Sequence, residues 1–324
     1  MQKTLSVVDL KAVRSNALKV RAMLEGRKFY AVVKADAYGH GAEEVSRYIE
    51  DLVDGFCVAV ADEGAALRIA GVTKPVLVFT PPLGADDVKK CAFYDLTVTV
   101  NSAKTAYLTE NLPCHIKVNT GMNRAGCNLS ELGETLAALD PSRIEGVYSH
   151  LYAPENAAAA YKQLALFKSA EKLVKERAPQ AAAHLSASGG ILRGGGYLCD
   201  GGRAGILLYG YAPYGFSPSG FKPALKVYAR KIQDTKFIGG GIGYNLADKR
   251  YGELSVYRLG YADGFKRTVP LGEKTLCMDS FIRVGGEELR LVMSDADAYA
   301  RECGTISYEV LTSVTRRSER IYER

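Results

Sequence analysis

The sequence predicts an α/β fold: an N-terminal (β/α)8, TIM-like barrel followed by a smaller, mostly β domain. Three observations lead there. Short β-branched apolar runs alternate with helical segments through the first two-thirds of the chain, and parallel strands need such crossover helices. Eight of these runs fall within about 200 residues, a count that suits a closed barrel better than an open doubly wound sheet. After Tyr211 the alternation stops at a Pro-, Gly- and Ser-rich stretch, APYGFSPSGFKP, and short alternating runs broken by Gly and Asp take over. Residues 8–212 therefore read as the barrel and 213–324 as the β domain.

The elements follow in order. A helix, LKAVRSNALKVRAML, precedes the first strand. The eight strand candidates are KFYAVVK, GFCVAVA, PVLVF, LTVTV, HIKVN, IEGVYSH, AAHLSAS and the poorly marked LCDGGRAG. Between them lie GAEEVSRYIEDL, ADEGAALRIAG, GADDVKKCAFY, SAKTAYLTENL, NLSELGETLAALD and the long PENAAAAYKQLALFKSAEKLVKERAP, all with helical composition. Beyond the loop, LKVYARKIQDTKFI, ELSVYRLGY, KTLCMDSFIRVG, ELRLVM and GTISYEVLTSVT are short alternating runs of a small β domain, with no convincing helical period until near the end, and TRRSERIYER reads as a last strand or a tail.

Composition narrows the function. Forty-two basic against thirty-six acidic residues leave +6, which suits anionic ligands but is too little, without a basic cluster, for nucleic acid. No apolar run approaches the length of a membrane span, and the N-terminal residues carry charges where an export signal needs its apolar centre. A cytoplasmic location is expected. Seven scattered cysteines without a C-x-x-C pair read as reduced thiols, so neither a disulfide framework nor a metal site is expected. Phosphate-loop, dinucleotide, zinc-protease and nucleophile-elbow motifs are absent.

Barrel chemistry gathers at the C-terminal ends of the strands. There the sequence places Lys34, Lys117, His150, Ser188 and Arg203. Lys34 closes the apolar run AVVK. Desolvation at such a position lowers an amine's pKa and frees a nucleophile for aldehydes.

The segment AVVKADAYGHG resembles the lysine segment of the alanine racemase family. HIKVNTGMNRAG, GRAGILLYG, LGYADGFKR, CMD at Cys277–Asp279 and ISYEVL at Ile306–Leu311 are similar to further segments of that family, in the same order and across nearly the whole chain. The resemblance implies an isomerase that depends on pyridoxal 5′-phosphate (PLP) and interconverts L- and D-alanine, useful in bacterial cell-wall synthesis. It implies that Lys34 holds PLP and works as acid and base on one face of the substrate, with Tyr261 on the other. His150 would be linked to Tyr261 and Arg203. Arg203 would face the pyridine nitrogen, which stays unprotonated because a guanidinium cannot accept a proton. Ser188, the N–H groups of Gly205 and Ile206, and the hydroxyls of Tyr38 and Tyr308 would hold the phosphate. Arg124 and the Met278 N–H would bind the substrate carboxylate, and Lys117 is a candidate for carbamylation. A head-to-tail homodimer is implied, with Tyr261 and Met278 entering from the second copy.

His40 and His184 read as structural, and His115 has no assigned role. Asn119, Ala187 and Thr275 depart from the family pattern, and the β domain is short. These departures leave open a serine or broad-specificity racemase. A PLP-dependent decarboxylase is more remote, since Arg203 is not its acidic partner for the ring nitrogen. A PLP carrier without catalysis is disfavoured by the β domain.

Overall fold

The structure is a computed structural model that describes residues 4–109, 112–269 and 271–324. The chain forms two compact units. One comprises Arg14–Ala37 and Ala42–Phe221; the other comprises the segment ending at Val13, Tyr38–Gly41 and Lys222–Arg324. This division differs from a single cut after residue 212, because two N-terminal pieces belong with the C-terminal one.

The first unit is a parallel barrel. Its strands are Lys28–Val32, Gly55–Val58, Val76–Val78, Val98–Val100, Cys114–Lys117, Ile144–Tyr148, an interrupted Ala182–His184 and Ser186–Ala187, and Gly201–Ala204. They pair in two arcs, from Lys28–Val32 through Val76–Val78 and from Val98–Val100 through Ala182–His184, and Gly201–Ala204 pairs back onto Lys28–Val32. A bridge between Leu77 and Thr97 joins the two arcs. The interrupted strand joins them on the other side: Ala182–His184 pairs with Ile144–Tyr148, and Ser186–Ala187 with Gly201–Ala204. Both faces of a parallel barrel strand are covered, which is why these strands read as unbroken apolar runs. Gly55–Val58, Val76–Val78 and Val98–Val100 are buried throughout.

The crossover helices lie where expected. Ala61–Ile69, Ala85–Phe93, Ala103–Leu108, Leu132–Ala137 and Ala157–Arg177 follow successive strands. Ser102 and Asn156 cap two of them by accepting the N–H groups of Thr105 and Ala159.

In the second unit the sheet runs Phe281–Val284, Glu253–Arg258, Leu225–Lys236, Leu5–Asp9 and Glu319–Glu323, with Leu289–Met293 also on the long strand. Leu5–Asp9 is antiparallel to Leu225–Lys236 and parallel to Glu319–Glu323. The charged ending is therefore a strand. One expectation is corrected here: GTISYEVLTSVT is not a strand, because Ser307–Val314 is a helix. Ser307, Val310, Leu311 and Val314 are its buried residues, at helical spacing, and that burial overrides the β-branched composition. A second helix, Ala296–Cys303, was not anticipated.

Candidate active site

Lys34 stands one residue beyond the strand Lys28–Val32 and opens a turn of unusual hand. Ala35, Asp36, Ala37 and Tyr38 all have φ between 52° and 55°. Such a conformation costs roughly 1–2 kcal/mol per non-glycine residue, so it must be held in place. The Ala35 N–H donates to Glu63 Oε1 at 2.7 Å, the Ala37 N–H to the Val33 carbonyl at 2.7 Å, and Asp36 Oδ1 accepts from Ala42 at 2.8 Å. Strain held this firmly beside a reactive group is common at functional sites. Burial lowers the Lys34 pKa, and the Arg124 cation lowers it further; Glu63 opposes them.

At the same end of the barrel a cavity of about 350 Å3 opens among Lys34, Lys117, Arg124, His150, Arg203 and Gly205. Its lining carries two arginines, two lysines and no carboxylate among the described residues, so it suits an anionic occupant. Lys117 is buried at the end of its strand. Burial, then Arg124, Arg203 and Lys34, pull its pKa down to about 8, which leaves a share of neutral amine able to react with carbon dioxide. His150 falls to about 3, through burial first and then the Arg203 charge, so it is neutral across the physiological range.

Arg203 is buried, and its hydrogen bonds define its role. Nη1 donates to His184 Nδ1 at 2.7 Å and to the His184 carbonyl; Nη2 donates to the carbonyls of Ser149 at 2.6 Å and Leu185 at 3.2 Å. The two carbonyls at positions 184 and 185 lie where the seventh strand is interrupted, so the guanidinium takes up backbone acceptors at the gap. Four of the five N–H groups are thus used. The fifth, Nε–H, has no acceptor among the described residues and is left for a lone acceptor in the cavity.

The same bonds fix two histidine tautomers. A guanidinium only donates, so His184 Nδ1 must accept, and its proton lies on Nε2. That proton goes to His115 Nδ1 at 2.8 Å, so His115 carries its own on Nε2. His184 also stacks on Tyr148, with ring centroids 5.1 Å apart and planes within 3°. His184 takes a structural place, while the part played by His115 behind it is one the sequence reading missed. The signal was present: His115 and Lys117 alternate on one strand face; Ser188 opens the helix Ser188–Arg193 just after the interrupted strand. The described hydrogen bonds of Arg203 go to His184 and the backbone; His150 shares the cavity with it.

Ser188 is buried, and its Oγ accepts the Gly205 N–H at 3.2 Å, immediately before the short turn of helix Ile206–Tyr209. Backbone N–H groups and a hydroxyl at such a junction suit a phosphate. Two departures acquire reasons. Asn119 Nδ2 donates to Asn123 at 3.0 Å and to Asn128 at 3.1 Å, while its Oδ1 accepts the N–H groups of Gly121 and Asn123. A carboxylate could not donate those first two bonds, so Asn119 ties down the loop that carries Arg124. Ala187 lines the cavity with a bare methyl group.

A second cavity, of about 290 Å3, lies at the opposite end of the barrel among Lys28, Asp54, His115 and Glu145. It belongs to the N-terminal ends of the strands, and the lysine cluster is absent from it.

The other predicted residues lie in the second unit. Tyr38 and Tyr308 are neighbours, with ring centroids 5.8 Å apart. Burial raises the Tyr308 pKa to about 12, so its hydroxyl stays a donor. Tyr261 and Met278 sit on adjoining turns, joined by Tyr261 N–H to the Cys277 carbonyl at 3.1 Å and Ala262 N–H to the Met278 carbonyl at 2.9 Å. Thr275 accepts from Asn245 at 2.8 Å.

A desolvated amine asks for an aldehyde, a serine with glycine N–H groups for a phosphate, and a lone N–H from an all-donor cation for an unprotonated ring nitrogen. Together with the barrel they define an enzyme of the PLP-dependent class, and the residues present fit that cofactor. Comparison with known proteins agrees. Residues 8–213 match the family described as alanine racemase, N-terminal domain. Alanine racemase from Streptococcus equi subsp. zooepidemicus is 31% identical, over 98% of both chains, and that from Aquifex pyrophilus is 32% identical, over 91% and 92%. Solved structures include alanine racemase from Bacillus anthracis with bound L-Ala-P, at a TM-score of 0.87 and 27% identity over 100% and 96% of the chains. They also include the Bartonella henselae enzyme with covalently bound pyridoxal phosphate, at 0.82 and 25% over 99% of each. The chain belongs to the alanine racemase family, and it is a PLP-dependent racemase.

Proposed function

We propose that this chain interconverts L- and D-alanine with Lys34 and Tyr261 as the two proton-transferring groups, in a homodimer whose second copy supplies Tyr261 and Met278. The observation that carries the reading is a single cavity holding both a desolvated Lys34 and an Arg203 with one N–H to spare. When bound, PLP supplies an electron sink for the pair left on the substrate's Cα once its proton has gone.

The chain's own residues do the rest. Lys34 would anchor the cofactor and, on one face, take the Cα proton as its amine or return one as its ammonium. Tyr261 would take or return a proton on the other, so the stereocentre is lost and rebuilt with either hand. Arg203 would offer Nε–H to the ring nitrogen, which would stay unprotonated because a guanidinium only donates; that would limit how much charge the ring withdraws and disfavour side reactions. Ser188, Gly205, Ile206, Tyr38 and Tyr308 would hold the phosphate. Arg124 and the Met278 N–H hold the substrate carboxylate, and a carbamate on Lys117 would orient Arg124. His150 is the neutral link between Tyr261 and Arg203. The reading includes a cytoplasmic setting; among the described residues no helix is long and apolar enough to cross a membrane.

Absorbance and chiral chromatography test it together. The purified protein should be yellow, Lys34→Ala should be colourless, and L-alanine should be converted to D-alanine faster than L-serine or other amino acids. A colourless wild type, or release of carbon dioxide in place of inversion, contradicts the assignment.

A further inference from the structure

Two residues beyond Tyr261, the carboxylate of Asp263 is 1% exposed, and its surroundings serve no purpose assigned so far. Oδ2 accepts the Gly260 N–H at 2.9 Å and Arg258 Nη1 at 2.7 Å. Oδ1 has no hydrogen bond among the described residues, yet Arg317 Nε stands 3.6 Å away. Arg317 Nη2 in turn donates to Asp279 Oδ1 at 2.9 Å. Arg258 completes the circuit, with Nη1 donating to the Asp279 carbonyl at 3.2 Å and Nη2 lying 3.8 Å from Asp279 Oδ1. Two cations and two anions alternate around a closed ring.

The ring joins the chain at three places. Asp263 ends the turn Tyr261–Asp263, Asp279 follows Met278, and Arg317 follows the helix Ser307–Val314 that carries Tyr308. The backbones beneath it are packed too closely for side chains. A Cβ at Gly260 would lie 2.3 Å from the Met278 carbonyl oxygen, and one at Gly264 would lie 2.4 Å from that of Ser313. Above the ring, Tyr261 and Met278 are presented outward, 36% and 51% exposed. Exposed ion pairs contribute little by themselves. A buried ion pair is different, because removing one partner leaves the other buried and uncompensated, so Asp263 ties both arginines, and through them Asp279, to the Tyr261 turn.

We propose that Arg258, Asp263, Asp279 and Arg317 are positioning residues that hold Tyr261 and Met278 in one fixed relation, and so govern the proton transfer performed by Tyr261 without touching the substrate. The proposal rests on the role given to Tyr261 above and adds the device that aims it.

The test uses the holoenzyme and the two more exposed members of the ring, as Asp279→Asn and Arg317→Gln, because loss of Asp263 endangers the fold. Single-turnover loss of the α-deuterium is followed from L- and from D-alanine. In both variants the half-reaction that Tyr261→Phe abolishes should slow by about tenfold to a hundredfold, the scale of a displaced catalytic group, while the other changes by less than about twofold. Cofactor absorbance should be unchanged, Arg317→Lys should recover part of the loss, and Asp279→Asn should add no slowing to Tyr261→Phe. Equal slowing of both half-reactions, or wild-type kinetics in the folded variants, overturns the proposal. Tyr261→Phe, run in parallel, separates the failures. Selective loss there but none in the ring variants removes the ring alone; no selective loss there removes the role of Tyr261 itself, and the ring's with it.

Discussion

Arg203 is a buried cation whose described hydrogen-bond partners are all neutral, and the histidines behind it must stay uncharged for the arrangement to hold. Burial, then Lys28 and Arg203, push the His115 pKa down to about 3, and His184 falls well below its usual value through burial and Arg203. Below about pH 6.5 the unfolded chain takes up these protons and the folded one does not, so the unfolded state binds more and stability falls as pH drops. Each such histidine contributes a slope of about 1.4 kcal/mol per pH unit in that window. His115→Asn should reduce the slope of unfolding free energy between about pH 6 and 4 by about that amount, measured by urea denaturation; an unchanged slope contradicts the neutral assignment. At this scale Lys34 stood out through the flanking segment AVVKADAYGHG, because an amine ending an apolar run is by itself more often a surface lysine. The chain from Arg203 to His184 and on to His115 was not read, because three strands must be side by side before their alternating residues meet.

Elements carry the next level of meaning. The loop after Lys117 brings Arg124 to the cavity and depends on Gly126, whose φ is 134° and whose Cβ would lie 2.6 Å from the Asn119 nitrogen. Gly126→Ala should therefore raise KM for alanine about tenfold by displacing Arg124, with the cofactor's absorbance retained; wild-type KM would show that Arg124 does not depend on this turn. The barrel strands were readable because parallel strands buried on both faces leave continuous apolar runs. The helix Ala296–Cys303 was missed although its boundary signals were present: Asp295 caps it by accepting the N–H groups of Asp297 and Ala298, and Gly304 ends it in the left-handed region. Ser307–Val314 was misread because three of its eight residues are β-branched, and only burial of one face shows it to be a helix. The left-handed turn after Lys34 had no sequence signal, since none of its four residues is the glycine that such geometry favours.

The whole molecule joins the chain's two ends, with Leu5–Asp9 lying parallel to Glu319–Glu323 in the second unit's sheet. Pairing across the full length leaves no local trace, so a strand that begins at Leu5 was not foreseen. The residues assigned to the reaction are divided between the two units: Lys34, Lys117, Arg124, His150, Ser188 and Arg203 in one, Tyr261, Met278, Tyr38 and Tyr308 in the other. We propose that Lys34 and Tyr261 meet at one carbon and come from different copies of the chain. Complementation tests both parts at once. Lys34→Ala and Tyr261→Phe, each without racemase activity alone, should recover racemisation of alanine when co-expressed and purified as mixed dimers, because each mixed dimer contains one intact pair. Mixed dimers that remain inactive would contradict the account.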